Sequence, residues 1–145
     1  MARRVLITKA GSPSVLKIEQ MDMPSPAAGE VCIEVHYAGI NFADTLMRLG
    51  LYQPRPAYPF TPGYELSGII HSLGDGVTEY AIGQRVVAAV PTGAQSSHIS
   101  VKVSRVIPIP DEMGLDAAAA MPVTYLTAHH MLHYLGHLKQ GETVL

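Results

Sequence analysis

Histidines near the C-terminal end of the sequence have the spacing of metal ligands on a helix. His129, His133 and His137 recur at every fourth residue, and His130 lies beside the first of them. Two histidines one helical turn apart can bind a transition-metal ion. We expect Gly136 to end the helix before His137, however, and no carboxylate or cysteine flanks the set. A polar helix face is therefore the favoured interpretation, and we predict no metal site.

The composition is that of a folded domain. The chain has 145 residues, 48% of them hydrophobic, with a formal net charge of −2. This length can bury a substantial core, and the near-neutral charge excludes the electrostatic footprint of a nucleic-acid-binding protein. Cys32 is the only cysteine, which excludes an internal disulfide and a multi-cysteine zinc site. No apolar stretch approaches the roughly 20 residues that span a bilayer, and residues 1–10 lack a secretory signal, so we expect a cytoplasmic protein without a membrane span.

Most of the elements that must position a site are predicted to be strands. Residues 31–37 alternate apolar and polar side chains, which predicts a half-buried strand with Cys32 on its polar side and Tyr37 on its apolar side. Further strands are predicted at residues 4–8, 15–20, 65–73, 85–90 and 97–103, with an extended segment at 106–110. Four prolines in residues 51–63 predict a rigid loop. Many short strands with Gly and Pro turns favour a partly open β-barrel.

One helix is predicted between the third strand and the proline-rich loop. Phe42, Leu46 and Leu49 recur at helical spacing. Asn41 has a side chain suited to cap the N-terminus of this helix, and Gly50 is suited to end it.

The last part of the sequence changes to helical character. Residues 115–121 predict an alanine-rich helix, Pro122 interrupts it, and residues 123–135 predict a second helical run that Gly136 closes at the C′ position. A glycine, a charge and an apolar run at 141–145 then predict the opening of a new strand. Because two or three residues of strand cannot bury themselves, we expect the sequence to stop just inside a second domain.

Four motifs in the same order and spacing give the sequence a family resemblance. They are AGINFAD at 38–44, TPGYELSG at 61–68, GQRV at 83–86 and AAAAMPVTYLTA at 117–128. The sequence resembles zinc-independent medium-chain dehydrogenase/reductases, in particular the zeta-crystallin-like quinone reductases and the vesicle amine transport protein branch. This resemblance implies a mainly β fold with C-terminal helices. Residues 1–135 would be a GroES-like, partly open β-barrel that binds substrate, truncated before a Rossmann domain of which only 136–145 are present.

The resemblance also implies an activity. Zinc alcohol dehydrogenases of this fold bind their metal through a cysteine and a histidine at the positions of Asn41 and Tyr64, and Ala43 replaces their proton-relaying hydroxyl. Catalytic zinc needs three converging ligands, so we expect no zinc. The implied reaction is hydride transfer from NADPH, or from NADH, to a quinone or enone, which conjugation already makes electrophilic. The fragment alone is expected to be inactive because it lacks the glycine-rich cofactor turn, and the protein is expected to be a homo-oligomer.

Four residues are candidates for the site by their family positions. Asn41 is expected to bond the substrate or the nicotinamide ribose, and Tyr52 to stack on or donate to the acceptor. Thr127 is expected to bond the cofactor carboxamide, and Tyr64 to fill the space that the metal and its histidine leave. Structural alternatives stay open: a helix cap for Asn41, ordinary packing for Tyr52 and a bond to a backbone carbonyl for Thr127. Glu65 is interpreted as an ion-pair partner.

Two other functions stay open on the sequence. The same barrel could act as a non-catalytic binding or interaction module. Enoyl-reductase units of polyketide-type synthases also carry these motifs, although Met1 at the start weighs against excision from such a synthase. A glycine-rich βαβ segment beyond this sequence would separate an oxidoreductase from a binding module.

Overall fold

Antiparallel strands form two sheets in this computed structural model, which describes residues 1–54 and 56–144. The smaller sheet pairs β1 (Ala2–Ile7) with β2 (Leu16–Met21). The larger sheet contains β3 (Glu30–Ala38), β4 (Glu65–Leu73), β5 (Arg85–Ala89), β6 (His98–Lys102) and β7 (Val106–Pro108). Its strand order is β6-β3-β4-β5-β7. The strands of the described residues do not close into a barrel, which agrees with the partly open fold expected.

The strands lie where the sequence pattern predicts them, with their ends shifted by a residue or two. The predicted alternation in β3 is partly wrong. Cys32, expected on the polar face, is fully buried, and Tyr37, expected on the apolar face, is 51% exposed. The pairing of β3 with β4 shifts register between Cys32 and Ile33 and again between Val35 and Tyr37. Each such irregularity turns the side chains that follow it, so strict alternation is lost.

The first helix follows its prediction closely. Helix α1 (Phe42–Leu49) begins after Asn41 and ends at Gly50, whose φ of 74° lies in the left-handed region. Glycine adopts this conformation without the steric penalty of a side chain, which is why it ends the helix here.

The C-terminal helices depart from the predicted boundaries. Helix α2 (Leu115–Ala119) ends at Ala120, and a terminal helical segment then runs over residues 121–135. Pro122 therefore does not interrupt a helix. It lies in the first turn of the new one, where its missing N–H costs nothing. None of the helices in the described ranges has the length and apolar character needed to cross a membrane.

The end of the terminal segment also differs from its prediction. The π-helical turn His130–Leu135 is followed by Gly136 with φ −81°, so Gly136 is not the left-handed C′ residue. His137, with φ 50°, takes that conformation instead. The strand predicted from residue 141 is not formed over residues 142–144, which pair with no strand of the described residues, and Leu145 lies outside them.

Two clusters of buried apolar side chains form the core. The larger cluster lies on the five-stranded sheet and includes Val31, Leu66 and Val86. The smaller cluster consists of Ile7, Met47 and Phe60, with Val15, Tyr52, Tyr58 and Tyr64 packed against it. Each fully buried aliphatic or aromatic side chain stabilises the fold by about 1.5–3 kcal/mol. The smaller cluster thereby fixes α1 against β1 and the proline-rich loop.

The proline-rich loop follows its prediction in the residues that can be compared. Residues 51–54 and 56–63 contain no helix and no strand beyond one isolated bridge, and Arg55 lies outside the described residues. That bridge joins Phe60 to Ile7 through two backbone hydrogen bonds of 2.9 and 3.0 Å. The loop is therefore anchored to β1 at one point.

Candidate functional site

A cleft of about 430 Å³ opens between α1, the proline-rich loop and the loop after β5. Its walls are formed by Met47, Tyr52, Pro54, Pro56, Tyr64, Pro91 and Thr92. Proline rings, a thioether and two aromatic rings make the described walls mainly apolar, and among the described lining residues the polar side-chain groups are two phenols and one threonine hydroxyl. Few polar groups in an apolar concavity of this size are typical of a site for a small organic molecule.

Two of the predicted site residues meet in this cleft. The rings of Tyr52 and Tyr64 pack edge to face, with centroids 6.3 Å apart and an interplanar angle of 63°. The Tyr64 hydroxyl donates to Met47 Sδ at 3.5 Å, and a thioether is only a weak acceptor. This phenol can therefore exchange its partner for a better acceptor in the cleft.

The Tyr64 phenol is held in its neutral form. Burial raises its pKa to about 12, with further contributions from the neighbouring Tyr52 and from the Asp44 carboxylate. A phenol with this pKa is a hydrogen-bond donor, and not an anion, throughout the physiological pH range.

A spectroscopic titration tests this protonation state. We expect Tyr64→Phe to remove one tyrosinate that forms near pH 12 from the ultraviolet titration curve. The pKa of Tyr64 in the folded protein lies above the value of about 10 that tyrosine has in an unfolded chain. The contribution of this phenol to the free energy of unfolding is therefore fully present below about pH 10, and it is lost as the pH rises towards 12. Tyr64→Phe should reduce this loss. Tyr125→Phe, at a 64% exposed position, is the control and should leave the late tyrosinate in place. An unchanged late phase in Tyr64→Phe would contradict the assignment.

Asn41 lies at a buried polar junction beside the cleft. Its side-chain Nδ2 donates to Glu65 Oε1 at 2.8 Å. Its backbone N–H donates to Asp44 Oδ2 at 2.8 Å, and Asp44 Oδ1 accepts the N–H of Gly63 at 2.9 Å. These bonds tie the start of α1 to the residues that lead into β4. The capping position predicted for Asn41 is confirmed.

Glu65 is the centre of this junction and is only 2% exposed. Its second oxygen, Oε2, accepts the backbone N–H of Val123 at 2.8 Å. Val123 lies in the first turn of the terminal helical segment, where N–H groups lack helical partners and the helix dipole favours a negative charge. The expected ion pair is therefore wrong: within the described residues, Glu65 bonds an amide and a helix N-terminus.

The position of Glu65 also explains the glycine of the Gly-x-Asn motif. A Cβ atom on Gly39 would collide with the Glu65 side chain. Tyr64 and Glu65 are neighbours at the start of β4, and successive side chains of an extended chain point in opposite directions. Tyr64 thus lines the cleft while Glu65 turns to Asn41 and the helix.

Thr127 is not brought to the cleft walls. It lies on an exposed part of the terminal segment, and its side-chain hydroxyl makes no hydrogen bond to another described residue. The bond to a backbone carbonyl, considered for Thr127, is made instead by Thr124, whose hydroxyl donates to the Ala120 oxygen at 2.6 Å. The structure therefore brings Tyr52 and Tyr64 together, links Asn41 to them through Glu65, and leaves Thr127 apart.

The sequence pattern did not identify every wall of the cleft. Met47 is buried on the inner side of α1 together with Asp44, whereas Phe42 of the predicted apolar stripe is 77% exposed, so the helical periodicity indicates a different face. Pro91 and Thr92 reach the cleft only because β5 pairs with β4, a contact that no local pattern reveals.

The helical segment ends before His137, as predicted, so the three evenly spaced histidines do not share one helix face. The rings of His129 and His133 lie 4.6 Å apart, while His137 follows the end of the segment. Within the described residues, no carboxylate or thiol joins this pair to make a group of three metal-ligating side chains.

Comparison with known proteins establishes the family. Residues 27–111 match the family described as alcohol dehydrogenase GroES-like domain. The chain belongs to this family. A curated relative of this GroES-like chain is the mouse synaptic vesicle membrane protein VAT-1 homolog-like, which is 38% identical over 143 residues, or 99% of this chain and 34% of the relative.

Solved structures agree with this assignment. The human VAT-1 homolog-like protein superposes with a TM-score of 0.93 at 38% identity, covering 97% of this chain and 46% of that one. Escherichia coli quinone oxidoreductase, solved in complex with NADPH, superposes with a TM-score of 0.83 at 32% identity, covering 92% of this chain and 41% of that one. The GroES-like chain spans about a third of the length of the curated relative it matches, and less than half of the length of these structures.

The predicted family and the predicted fold class are confirmed. The chain is mostly β with C-terminal helices, and it corresponds to part of the medium-chain dehydrogenase/reductases that include quinone oxidoreductases.

Proposed function

We propose that this chain is the substrate-binding domain of an NAD(P)H-dependent reductase that transfers hydride to a quinone or enone without zinc. In this proposal residues 1–135 form the domain, and 136–145 begin a Rossmann domain. The observation that carries the proposal is the apolar cleft walled by Tyr52 and Tyr64 in a chain of this family. The E. coli relative that was solved with NADPH supports NADPH as the hydride donor, with NADH as the alternative.

The donor groups at the cleft do not suit a catalytic zinc ion. Zinc in proteins is bound by thiolate, imidazole or carboxylate groups. Tyr64 offers a neutral phenol, the Asn41 amide nitrogen donates to Glu65, and both oxygens of Glu65 accept hydrogen bonds. Cys32, the only cysteine, is buried in β3. This chemistry supports a reaction that uses no Lewis-acid metal at this position.

The cleft walls suggest how a flat conjugated ring would be held. Tyr52 would lie against the ring, and the prolines would exclude water from it. As hydride arrives at carbon, negative charge develops on the quinone oxygen, and a neutral phenol donor is suited to stabilise it. The Tyr64 hydroxyl, which donates to the weakly accepting thioether of Met47, is the group we assign to that role.

The nicotinamide cofactor would supply the hydride, and this chain offers few groups to hold it. The Thr127 hydroxyl, exposed and without a bond to another described residue, is suited to its carboxamide. The Asn41 side-chain oxygen, Oδ1, faces the start of α1 in the capping box and has a second lone pair for the ribose, while the amide nitrogen is bonded to Glu65. We place the rest of the cofactor site in the Rossmann domain.

Apolar side chains on the terminal helical segment support burial against further protein. Tyr125, Leu126, Met131, Tyr134 and Leu135 are each more than half exposed, at 55–68%. A cluster of this kind on a protein surface indicates an interaction site. We propose that it packs on the Rossmann domain, and that the protein is a cytoplasmic homo-oligomer.

The experiment that tests this function compares the protein that contains this chain with a variant reduced to residues 1–145. NADPH oxidation is measured against a panel of quinones and enones. We expect turnover only in the protein with a nucleotide-binding domain, and we expect residues 1–145 to bind NADPH more weakly than about 1 mM.

The other outcomes separate the alternatives. NADPH binding without transfer to any acceptor would favour a non-catalytic binding module. Turnover confined to enones would favour the enoyl-reductase function. Sub-millimolar NADPH affinity of residues 1–145 would show that the cofactor site does not depend on a second domain.

A further inference from the structure

Three neighbouring strands bring two histidines and a glutamate together on one face of the larger sheet, away from the cleft. Glu34 on β3 is the direct partner of His98 on β6. On the other side, Glu34 pairs with Ile69 of β4, and His71 lies two residues further along on the same face. One potential ligand atom of each of Glu34, His71 and His98 lies within 4.8 Å of the other two.

We propose that Glu34, His71 and His98 form a binding site for a divalent transition-metal ion, with Zn²⁺ as the reference ion. Two imidazoles and a carboxylate are a known ligand set for zinc, and three protein ligands leave a fourth position for water. Imidazole favours first-row transition metals over Ca²⁺ and Mg²⁺, so a hard alkaline-earth ion is the wrong occupant.

The side chains can close on an ion without moving the sheet. A tetrahedral ion with bonds of about 2.0–2.1 Å separates its donors by roughly 3.3 Å, so the three groups must approach one another. Glu34 and His71 are exposed, and rotation of their side chains can supply this movement. The rings of His71 and His98 already lie with centroids 5.2 Å apart at an angle of 83°, close enough to converge.

His98 is the most fixed of the three ligands. It is half-buried, and its Nδ1 lies 3.2 Å from the Ser97 hydroxyl. In the tautomer in which Nδ1–H donates to the Ser97 oxygen, Nε2 keeps its lone pair for a metal, and metal-binding histidines usually donate their second ring N–H in this way. The ion would connect β6, β3 and β4, and because it binds only the folded chain it would stabilise the protein.

The test is a titration of the protein with Co²⁺, followed by visible absorption, and then displacement by Zn²⁺. We expect one strong site per chain, and an affinity at least about tenfold weaker in Glu34→Gln and in His71→Ala. The matched control is the double variant His129→Ala/His133→Ala, which removes the close histidine pair of the terminal segment and should keep the strong site. Saturating Zn²⁺ should raise Tm by about 5–10 °C in the wild type and not in Glu34→Gln.

Each outcome decides the proposal. Loss of binding in the helix double variant, with His71→Ala unchanged, would move the metal to the terminal segment and overturn it. Absence of Co²⁺ binding at millimolar metal would overturn it as well. Glu34 and His71 are exposed, so the Tm values without metal should match the wild type and show that the variants are folded. If His71→Ala fails this control, Glu34→Gln, which keeps the shape of the side chain, decides alone.

Discussion

Glu65→Ala is expected to lower the free energy of unfolding by about 3–5 kcal/mol. The substitution leaves two donors without an acceptor, the Asn41 amide and the Val123 N–H, and each costs about 1–3 kcal/mol when it is buried. The lost side-chain volume adds a cavity cost. A domain of this size is stable by only about 5–15 kcal/mol, so the variant should unfold at a markedly lower urea concentration.

Two further variants isolate the cause. Glu65→Gln keeps the volume but offers one acceptor oxygen for two donors, so we expect an intermediate loss of about 1–3 kcal/mol. Glu112→Gln changes the same chemical group at an exposed position and should alter stability by less than about 0.5 kcal/mol. Urea unfolding followed by circular dichroism measures all three. If Glu65→Ala matched Glu112→Gln, the junction would not hold the protein together in solution.

Substitution of Glu65 should destabilise the terminal helical segment before the rest of the molecule. Glu65 is the side chain that ties the terminal helical segment to β4, through Val123. In Glu65→Gln, amide hydrogen exchange should therefore accelerate first in residues 121–135. This pattern would link the buried carboxylate to the placement of Thr127 and of the exposed apolar side chains on that segment.

Local signals explain why much of the fold was predictable. The helix cap at Asn41 and the left-handed Gly50 depend only on residues within one turn, so the sequence contains all the information needed. The break at Ala120 depends on less obvious physics. Proline favours the first turn of a helix, so Pro122 marks a beginning there and not an interruption.

Contacts between distant residues explain what the sequence pattern missed. The pairing of β6, β3 and β4 in one register is what makes Glu34, His71 and His98 adjacent. In the sequence, the histidines with the spacing of metal ligands are those of the terminal segment instead. Glu65 was interpreted from the sequence as an ion-pair partner. The partner it has is a helix N-terminus, which no one-dimensional pattern places beside β4.

The candidate cleft combines residues that the sequence identified with contacts that it did not. Tyr52 and Tyr64 were identified as candidates by the positions they share with a family, and in the structure their rings pack edge to face. The sequence did not predict that the Tyr64 hydroxyl would have a weak acceptor as its partner. Met47 supplies the weak acceptor that leaves the Tyr64 hydroxyl available, and this contact depends on how α1 packs.

Tyr64→Ala, made in the protein that contains the nucleotide-binding domain, is expected to lower kcat/KM for a quinone by about 10–100-fold. The prediction assumes the proposed reductase activity. Removing the ring deletes one aromatic wall of the cleft and admits water beside the acceptor, so both binding and hydride transfer should suffer. Tyr37→Ala is the control, since Tyr37 is a 51% exposed tyrosine that does not line the cleft.

Tyr64→Phe separates the ring from its hydroxyl. The phenylalanine ring keeps the wall, so KM should change little. If the phenol donates to the oxygen on which charge develops, kcat should fall by about tenfold, because that bond is strongest in the transition state. Equal kcat for Tyr64→Phe and wild type, with Tyr64→Ala still impaired, would assign Tyr64 to the shape of the cleft alone. The neutral donor would then be sought at Tyr52 or Thr92, whose hydroxyls also belong to the described walls.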